Sequence, residues 1–369
     1  MSTKLGIVKM VLRGDNIYTH RNFFVPLQTE MPFINNILNY RSLSIVGLEK
    51  NTGKTVCLNY VLRRLNELKQ TVAVTSIGVD GEQTDAVFAT AKPEITLYEG
   101  TQFITSEKHY LSRRLVSELL HVDTRTTSLG RLVTGRVICP GKILLSGAAT
   151  TEKLRQQIES FRQQGMPLTI VDGALSRLSL ASPTVTDAMI LATGGAVSTN
   201  IKTLINKTRF VYQLINLEEV DIQLQQLLVP IAKGLWGVDA NGIPHDLGIA
   251  SAFLLGKKGT DLFQYGTTIF AAGAISDRLL KHLTLQKNVA DILLIARDFT
   301  KLFLSPEVLS DYLRKGGQIK VLQRSKLIAI TLNPTSPSGY RLNSVEACAQ
   351  LSEALQTPVY DVMRSSSLN

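Results

Sequence analysis

The chain is poor in the residues that would make several function classes simple to read. Three cysteines in 369 residues, Cys57, Cys139 and Cys348, are too few and too scattered for a disulfide scaffold. No Cys-x-x-Cys pair occurs, and His20, His109, His121, His245 and His282 show no ligand spacing, so a His/Cys metal site is not expected. Aromatic residues make up only 6%, which leaves few platforms for base stacking. No run of ~18 apolar residues exists, so no membrane span is expected. The opening MSTKLGIVKMVLRGD carries charge where a signal peptide needs an apolar core, which points to a cytoplasmic protein. Repeats and low-complexity tracts are absent. The net charge is +10, but the basic residues are dispersed in short pairs such as Arg63-Arg64, Arg113-Arg114 and Lys257-Lys258. That dispersion argues against dedicated nucleic-acid binding.

What is present is a core-forming composition, 44% hydrophobic and 19% charged, in a chain long enough for two domains or one large α/β unit. The most informative stretch is Ser44 to Thr55, SIVGLEKNTGKT. Its Gly-Lys-Thr ending is that of a phosphate-binding loop, but five residues rather than four separate Gly47 from Gly53. The surroundings fit the chemistry. Leu43–Val46 reads as a buried strand, and Val56, Leu58, Val61, Leu62, Leu65 and Leu68 recur at helical spacing. Strand, glycine-bounded loop and helix aim backbone N–H groups and the helix dipole at phosphate oxygens. In that arrangement Gly47, Lys50, Asn51, Thr52 and Gly53 form the cradle. Lys54 reaches the β- and γ-phosphates, and Thr55 offers its hydroxyl to Mg²⁺.

A second strand, Thr71–Ile77, runs into Gly78-Val79-Asp80-Gly81-Glu82-Gln83-Thr84-Asp85. Acids at the carboxyl end of a strand are placed for ligand contact in an open α/β sheet. Asp80, with Glu82 and Asp85, is a candidate for metal or substrate contact; a solvated acidic turn is the alternative. A third strand delivers Asp172 within Ile170-Val171-Asp172-Gly173-Ala174, as a carboxylate for the Mg²⁺ shell would be delivered. Arg177 beyond it is either a phosphate contact or a surface arginine. The run from Asp187 to Ala196 reads as another core strand closing in glycines.

GLEKNTGKT resembles the variant P-loop of dethiobiotin synthetase and related amidoligase-type NTPases, where five residues also precede Gly-Lys-Thr. Val171-Asp172-Gly173-Ala174 is similar to that family's acid-Gly-Ala motif. The resemblance covers about residues 40–220. It implies ATP and Mg²⁺, with Lys54, Thr55 and Asp172 in the phosphate and metal roles; Asp80, from its strand-end position, joins Lys54 and Asp172 as a catalytic candidate and Thr55 and Asp172 as a metal candidate. Two features depart from the pattern. The family's Lys-Pro substrate motif after the second strand is replaced by Gly78-Val79-Asp80-Gly81-Glu82, with Lys92-Pro93 further on. The signature lysine of MinD-type loops is replaced by Glu49, with Lys50 one place off. The length and opening of the chain also look like the P-loop-like accessory subunit of lysine 5,6-aminomutase, a B12 enzyme that needs ATP-driven release of damaged cofactor. That subunit acts beside a MutS-like ATPase.

The expected architecture is a P-loop-type, mostly parallel sheet flanked by helices, with a second α/β half packed against it. Residues 1–40 form an N-terminal extension, 41–220 the nucleotide-binding domain, and 221–369 a second domain or a continuation of the sheet. Inside the first domain, Ser106–His121 is helical in pattern and carries Arg113 and Arg114. Gly141–Thr150 reads as a strand directed at the same crevice, followed by a helix from about Thr151. In the second half, Gly266–Ala274, Ala290–Ala296 and Lys326–Leu332 read as strands, and Ser344–Leu355 as a helix. Ser276 is a candidate N-cap, and Asp277, Asp298 and Asn333 stand at strand ends. Three functions follow: an NTPase that serves or reactivates a partner enzyme, an ATP-dependent small-molecule ligase or kinase, and a degenerate P-loop module that binds a partner without turnover. No Asn-Lys-x-Asp guanine motif occurs, so ATP is the expected nucleotide.

Overall fold

Ser42 to Gly47 is buried at every position, and its neighbours explain why a strand must form there. Asp187 Oδ2 accepts hydrogen bonds from the backbone N–H groups of Arg41 (3.0 Å) and Ser42 (2.9 Å), while Asp187 N donates to Ser42 Oγ at 2.9 Å. These three bonds fix the starts of two neighbouring strands in one register. The computed structural model describes residues 32–77, 94–174, 181–254 and 261–366.

From the amino end the elements are α1 (Phe33–Ile37), β1 (Ser42–Gly47), α2 (Lys54–Glu67), β2 (Ala73–Ser76), β3 (Ile95–Leu97) and β4 (Gln102–Ser106). Then come α3 (Glu107–Leu111), β5 (Arg114–Thr127), β6 (Gly130–Ile143), α4 (Thr151–Gln163), β7 (Thr169–Ala174), β8 (Ala188–Gly194) and α5 (Ile201–Ile215). The next segment holds α6 (Ile222–Leu228), β9 (Leu235–Val238), β10 (Pro244–Ile249), β11 (Thr268–Ala271), β12 (Ile275–Ser276), α7 (Asp277–Thr284) and β13 (Leu293–Ala296). The chain closes with β14 (Leu302–Phe303), α8 (Pro306–Arg314), β15 (Gln318–Val321), β16 (Lys326–Asn333), α9 (Ser344–Leu355), β17 (Val359–Tyr360) and α10 (Val362–Ser366).

The fold is mixed α/β, with a mostly parallel central sheet flanked by helices. Its strand order is β17-β16-β8-β1-β7-β2-β4-β6-β3, with β5 hydrogen-bonded to β6. β1 lies between β8 and β7, parallel to both. Only the β3–β6 end of the sheet is antiparallel. β9, β10, β11, β13 and β15 form a second sheet in the order β10-β9-β11-β13-β15. The segment 221–369 therefore holds both a separate sheet and two strands, β16 and β17, that rejoin the first.

Helices cover both faces of the main sheet. Leu43 and Ile45 point to the α2 side, packed with Leu58, Val61 and Leu65. Val46, Met189 and Leu191 point the other way, into a cluster with Leu204 and Leu214 of α5, Leu351 of α9, and Leu279, Leu294 and Leu309 of the inserted unit. One apolar cluster thus joins the two sheets. Among the described residues, no helix is long and apolar enough to cross a membrane.

One expected helix is mostly a strand. Only Glu107–Leu111 of Ser106–His121 is helical, with Ser106 Oγ accepting from His109 N at 3.4 Å. From Arg114 the chain extends and pairs antiparallel with β6. The apolar residues there match either period over a short window, and cross-strand pairing with a distant segment decides between them. Arg113 stacks on the Tyr110 ring at 3.9 Å and donates to Ser117 Oγ, and Arg114 pairs with Glu94, so both arginines hold this hairpin in place. Ser276 precedes α7, but its hydroxyl makes no cap hydrogen bond. Asp277 Oδ1 instead accepts from Ser305 N at 2.8 Å, and buried Asp298 accepts from Ser182 Oγ at 2.8 Å. These acids fasten loops.

Two outcomes follow from this packing. Leu58, fully buried under β1, is expected to cost about 2–5 kcal/mol when replaced by Ala, read from urea unfolding. Exposed Cys139 should react rapidly with a thiol reagent at pH 8, while Cys57, whose thiol burial pushes up to about 12, reacts only on unfolding.

Candidate functional site

The carboxyl ends of five parallel strands meet at one edge of the main sheet. Gly47 of β1 lies opposite Ala174 of β7 and Ala192 of β8. Asn333 of β16 lies opposite Gly194, and Ser76 of β2 opposite Asp172. α2 leaves β1 to one face while α5 follows β8 on the other, which opens a crevice at this edge. The loop Leu48–Gly53 fills it. Leu48 N donates to Ala192 O at 2.8 Å, so the loop starts as a continuation of the sheet.

The five-residue gap has a structural resolution. Thr52 folds inward, 1% exposed, and donates from Oγ1 to Glu49 O at 3.0 Å. That internal turn takes up the extra residue. Asn51 (φ 62°) and Gly53 (φ 87°) both adopt the left-handed conformation, which turns the backbone back toward α2. Gly47 has no room for a side chain: a Cβ there would fall 2.2 Å from Thr52 Oγ1 and 2.9 Å from Lys54 Cγ. Lys54 therefore lies across the start of its own loop, while Lys50 is exposed.

α2 begins without the usual capping groups. Its N-cap is Gly53, which has no side-chain oxygen, and its first turn carries no acid. By contrast, Thr150 caps α4, which has Glu152 in its first turn and begins at Thr151, where the sequence placed its start. Among the described residues, the start of this 14-residue helix thus carries neither a side-chain cap nor a first-turn acid to meet its first N–H groups and the positive end of its dipole. Asp172 sits one strand away. It pairs in register with Ile45, and strand alternation puts it with Ile45 and Ile170 on the α2 side. Thr55, in the first turn of α2, faces solvent in part. Its hydroxyl and the Asp172 carboxylate are oxygen donors on the same side of the sheet. That set suits Mg²⁺, which takes one or two protein ligands and completes its shell with phosphate and water. Among the described residues, no group of three or more His, Cys, Asp or Glu side chains forms a metal cluster. Asp80, Glu82, Asp85, Lys92-Pro93 and Arg177 lie outside the described residues.

Two contributors came from distant sequence. Asn333 closes β16, and its Nδ2 donates to Asn51 O at 3.3 Å. Its Cβ stands 2.6 Å from where a Gly53 Cβ would be, and its backbone O accepts from Gly195 N at 2.9 Å. The sequence marked Asn333 as a strand end without linking it to the loop. Lys207 of α5 bonds Glu49 Oε1 at 3.0 Å and Val197 O at 3.2 Å. No sequence signal marked it, because one lysine on an amphipathic helix is indistinguishable from a solvated charge. Gly147 is a third neighbour: its Cβ would fall 1.6 Å from Ser76 O, so the segment after β6 packs tightly beside β2, although the strand expected over Gly141–Thr150 ends at Ile143.

Gly53→Ala is expected to lower stability by about 1–3 kcal/mol through its left-handed φ, with a further cost from the contact with Asn333. Adding Asn333→Gly removes that contact and recovers only the steric part, read from paired denaturation curves. Compared with family models, curated proteins and solved structures, the chain gives no match.

Proposed function

We propose that the chain is a P-loop-type NTPase that binds ATP with Mg²⁺ and serves a partner protein. One observation carries the nucleotide reading. The start of α2, with neither a capping side chain nor a first-turn acid, follows a loop folded on Gly47 and bordered by Lys54. Such a helix end is electrostatically incomplete until an anion occupies it. Lys54 supplies a positive charge to the phosphates, and the loop amides supply hydrogen bonds. Thr55 and Asp172 hold the metal, which neutralises charge on the phosphates when bound. The protein residues act by positioning and charge neutralisation, the two contributions that phosphoryl transfer requires.

The partner reading rests on the inserted unit. β9, β10, β11, β13 and β15 build a second sheet joined to the main one by a shared apolar cluster, and the acids Asp277 and Asp298 of this unit are spent on loop contacts. A unit of this size, in whose described residues no group of three or more His, Cys, Asp or Glu side chains forms a metal cluster, suits transmission of a nucleotide-dependent change to another protein better than small-molecule chemistry. The lysine 5,6-aminomutase system indicated by the resemblance is the first partner to assay.

The test is thermal stability with ATP–Mg²⁺, GTP–Mg²⁺ and ATP with EDTA. Ligand at ~100 times its Kd should stabilise the protein by ~2.7 kcal/mol. ATP–Mg²⁺ is expected to give this shift, EDTA to reduce it and Lys54→Ala to remove it. No shift with any nucleotide in the folded wild type would overturn the reading. Basal hydrolysis that rises with a partner supports the accessory role, and turnover indifferent to partners but dependent on a small substrate refutes it.

A further inference from the structure

Glu49 is an unusual residue for a loop that receives phosphate. It puts a carboxylate in the loop itself, four residues before Gly53, and a negative charge there disfavours an arriving polyphosphate. The fold supplies a counter-charge from another element. Lys207 Nζ lies 3.0 Å from Glu49 Oε1 and 3.2 Å from Val197 O. The helix that carries it is fixed on the sheet. Thr208 is buried, with its hydroxyl 3.0 Å from Thr193 Oγ1 of β8 and donating to Leu204 O at 2.8 Å. Leu204, one turn before, is fully buried in the cluster under β8. Asn200 caps the helix start, its Oδ1 accepting from Thr203 N at 3.1 Å. The position of Lys207 is therefore set by packing rather than by its own contact with the loop.

We infer that Lys207 is a positioning residue for nucleotide binding: it holds the Glu49 carboxylate against α5 and cancels its charge, so that the loop admits a polyphosphate. The inference rests on the nucleotide reading above. Both side chains are about half exposed, so the pair adds little to folding stability. Its effect falls on the ligand, whose several negative charges each interact with an uncompensated Glu49.

The experiment is a double-mutant cycle on the full chain with ATP–Mg²⁺ as the probe, read by calorimetry for wild type, Lys207→Ala, Glu49→Gln and the double variant. Lys207→Ala is expected to weaken ATP about fivefold or more, more strongly at low salt than at high salt. Glu49→Gln should bind at least as tightly as wild type. The double variant should return to within about twofold of Glu49→Gln, because the charge that needed Lys207 is gone. Melting without nucleotide should differ by no more than about 2 °C among the four proteins, as for an exposed pair. Lys207→Ala binding ATP like wild type, or a double variant as weak as Lys207→Ala, would overturn the inference. Salt-independent loss in Lys207→Ala would do the same, since it marks a packing defect. Absence of ATP binding to wild type, or binding unaffected by Lys54→Ala, would instead refute the nucleotide reading itself.

Discussion

Gly47 has no space for a Cβ, and the shape of the whole edge follows from that constraint. Thr52 Oγ1 and the Lys54 stem occupy the volume a side chain would need. The loop therefore folds onto the end of its own strand instead of extending into solvent. Once Thr52 is inside, Asn51 and Gly53 must take left-handed conformations to bring the chain round to α2. Gly53 then stands where a capping serine or aspartate would otherwise be, and α2 starts without a side-chain cap. One steric fact at the end of β1 thus produces both the compact loop and the electropositive helix end.

The rest of the main sheet holds that edge in place. β1 is buried on both faces and hydrogen-bonded on both sides, so Gly47 moves only if β7 and β8 move with it. The reciprocal bonds between Ser42 and Asp187 fix one end of this register. Asn333, delivered by β16, braces the other end against Asn51. The second sheet is threaded between β8 and β16, so the strand that supports the loop is reached only after the inserted unit has folded back. The shared cluster of Val46, Leu191, Leu279 and Leu294 ties the two units mechanically. A change at the loop has a packed route, through β8 and α5, to the inserted sheet.

Much of this was readable from local pattern. Strands β7 and β8, the helix after Gly53, the start of α4 near Thr151 and the span Ser344–Leu355 follow from apolar period and residue type. The failures have a common cause. Arg114–His121 looked helical because Leu115, Leu119 and Leu120 fit that spacing, and only the pairing of Arg114–Thr127 with β6, itself set by β4, made it a strand. Ser276 had the right residue type and place for a cap, yet its hydroxyl makes none, because Asp277 and Ser305 close that corner between them.

The sequence by itself determined the elements around the loop and the chemical character of Lys54, Thr55 and Asp172, since strand period, helix period and side-chain type are local properties. It also determined that the gap between Gly47 and Gly53 holds five residues. Only the tertiary structure decided how those five residues fit, that Asn333 braces them, and that Lys207 meets Glu49. Each of those contacts joins residues at least 150 positions apart or depends on the interior volume beside Gly47. Packing, not local propensity, sets such distances.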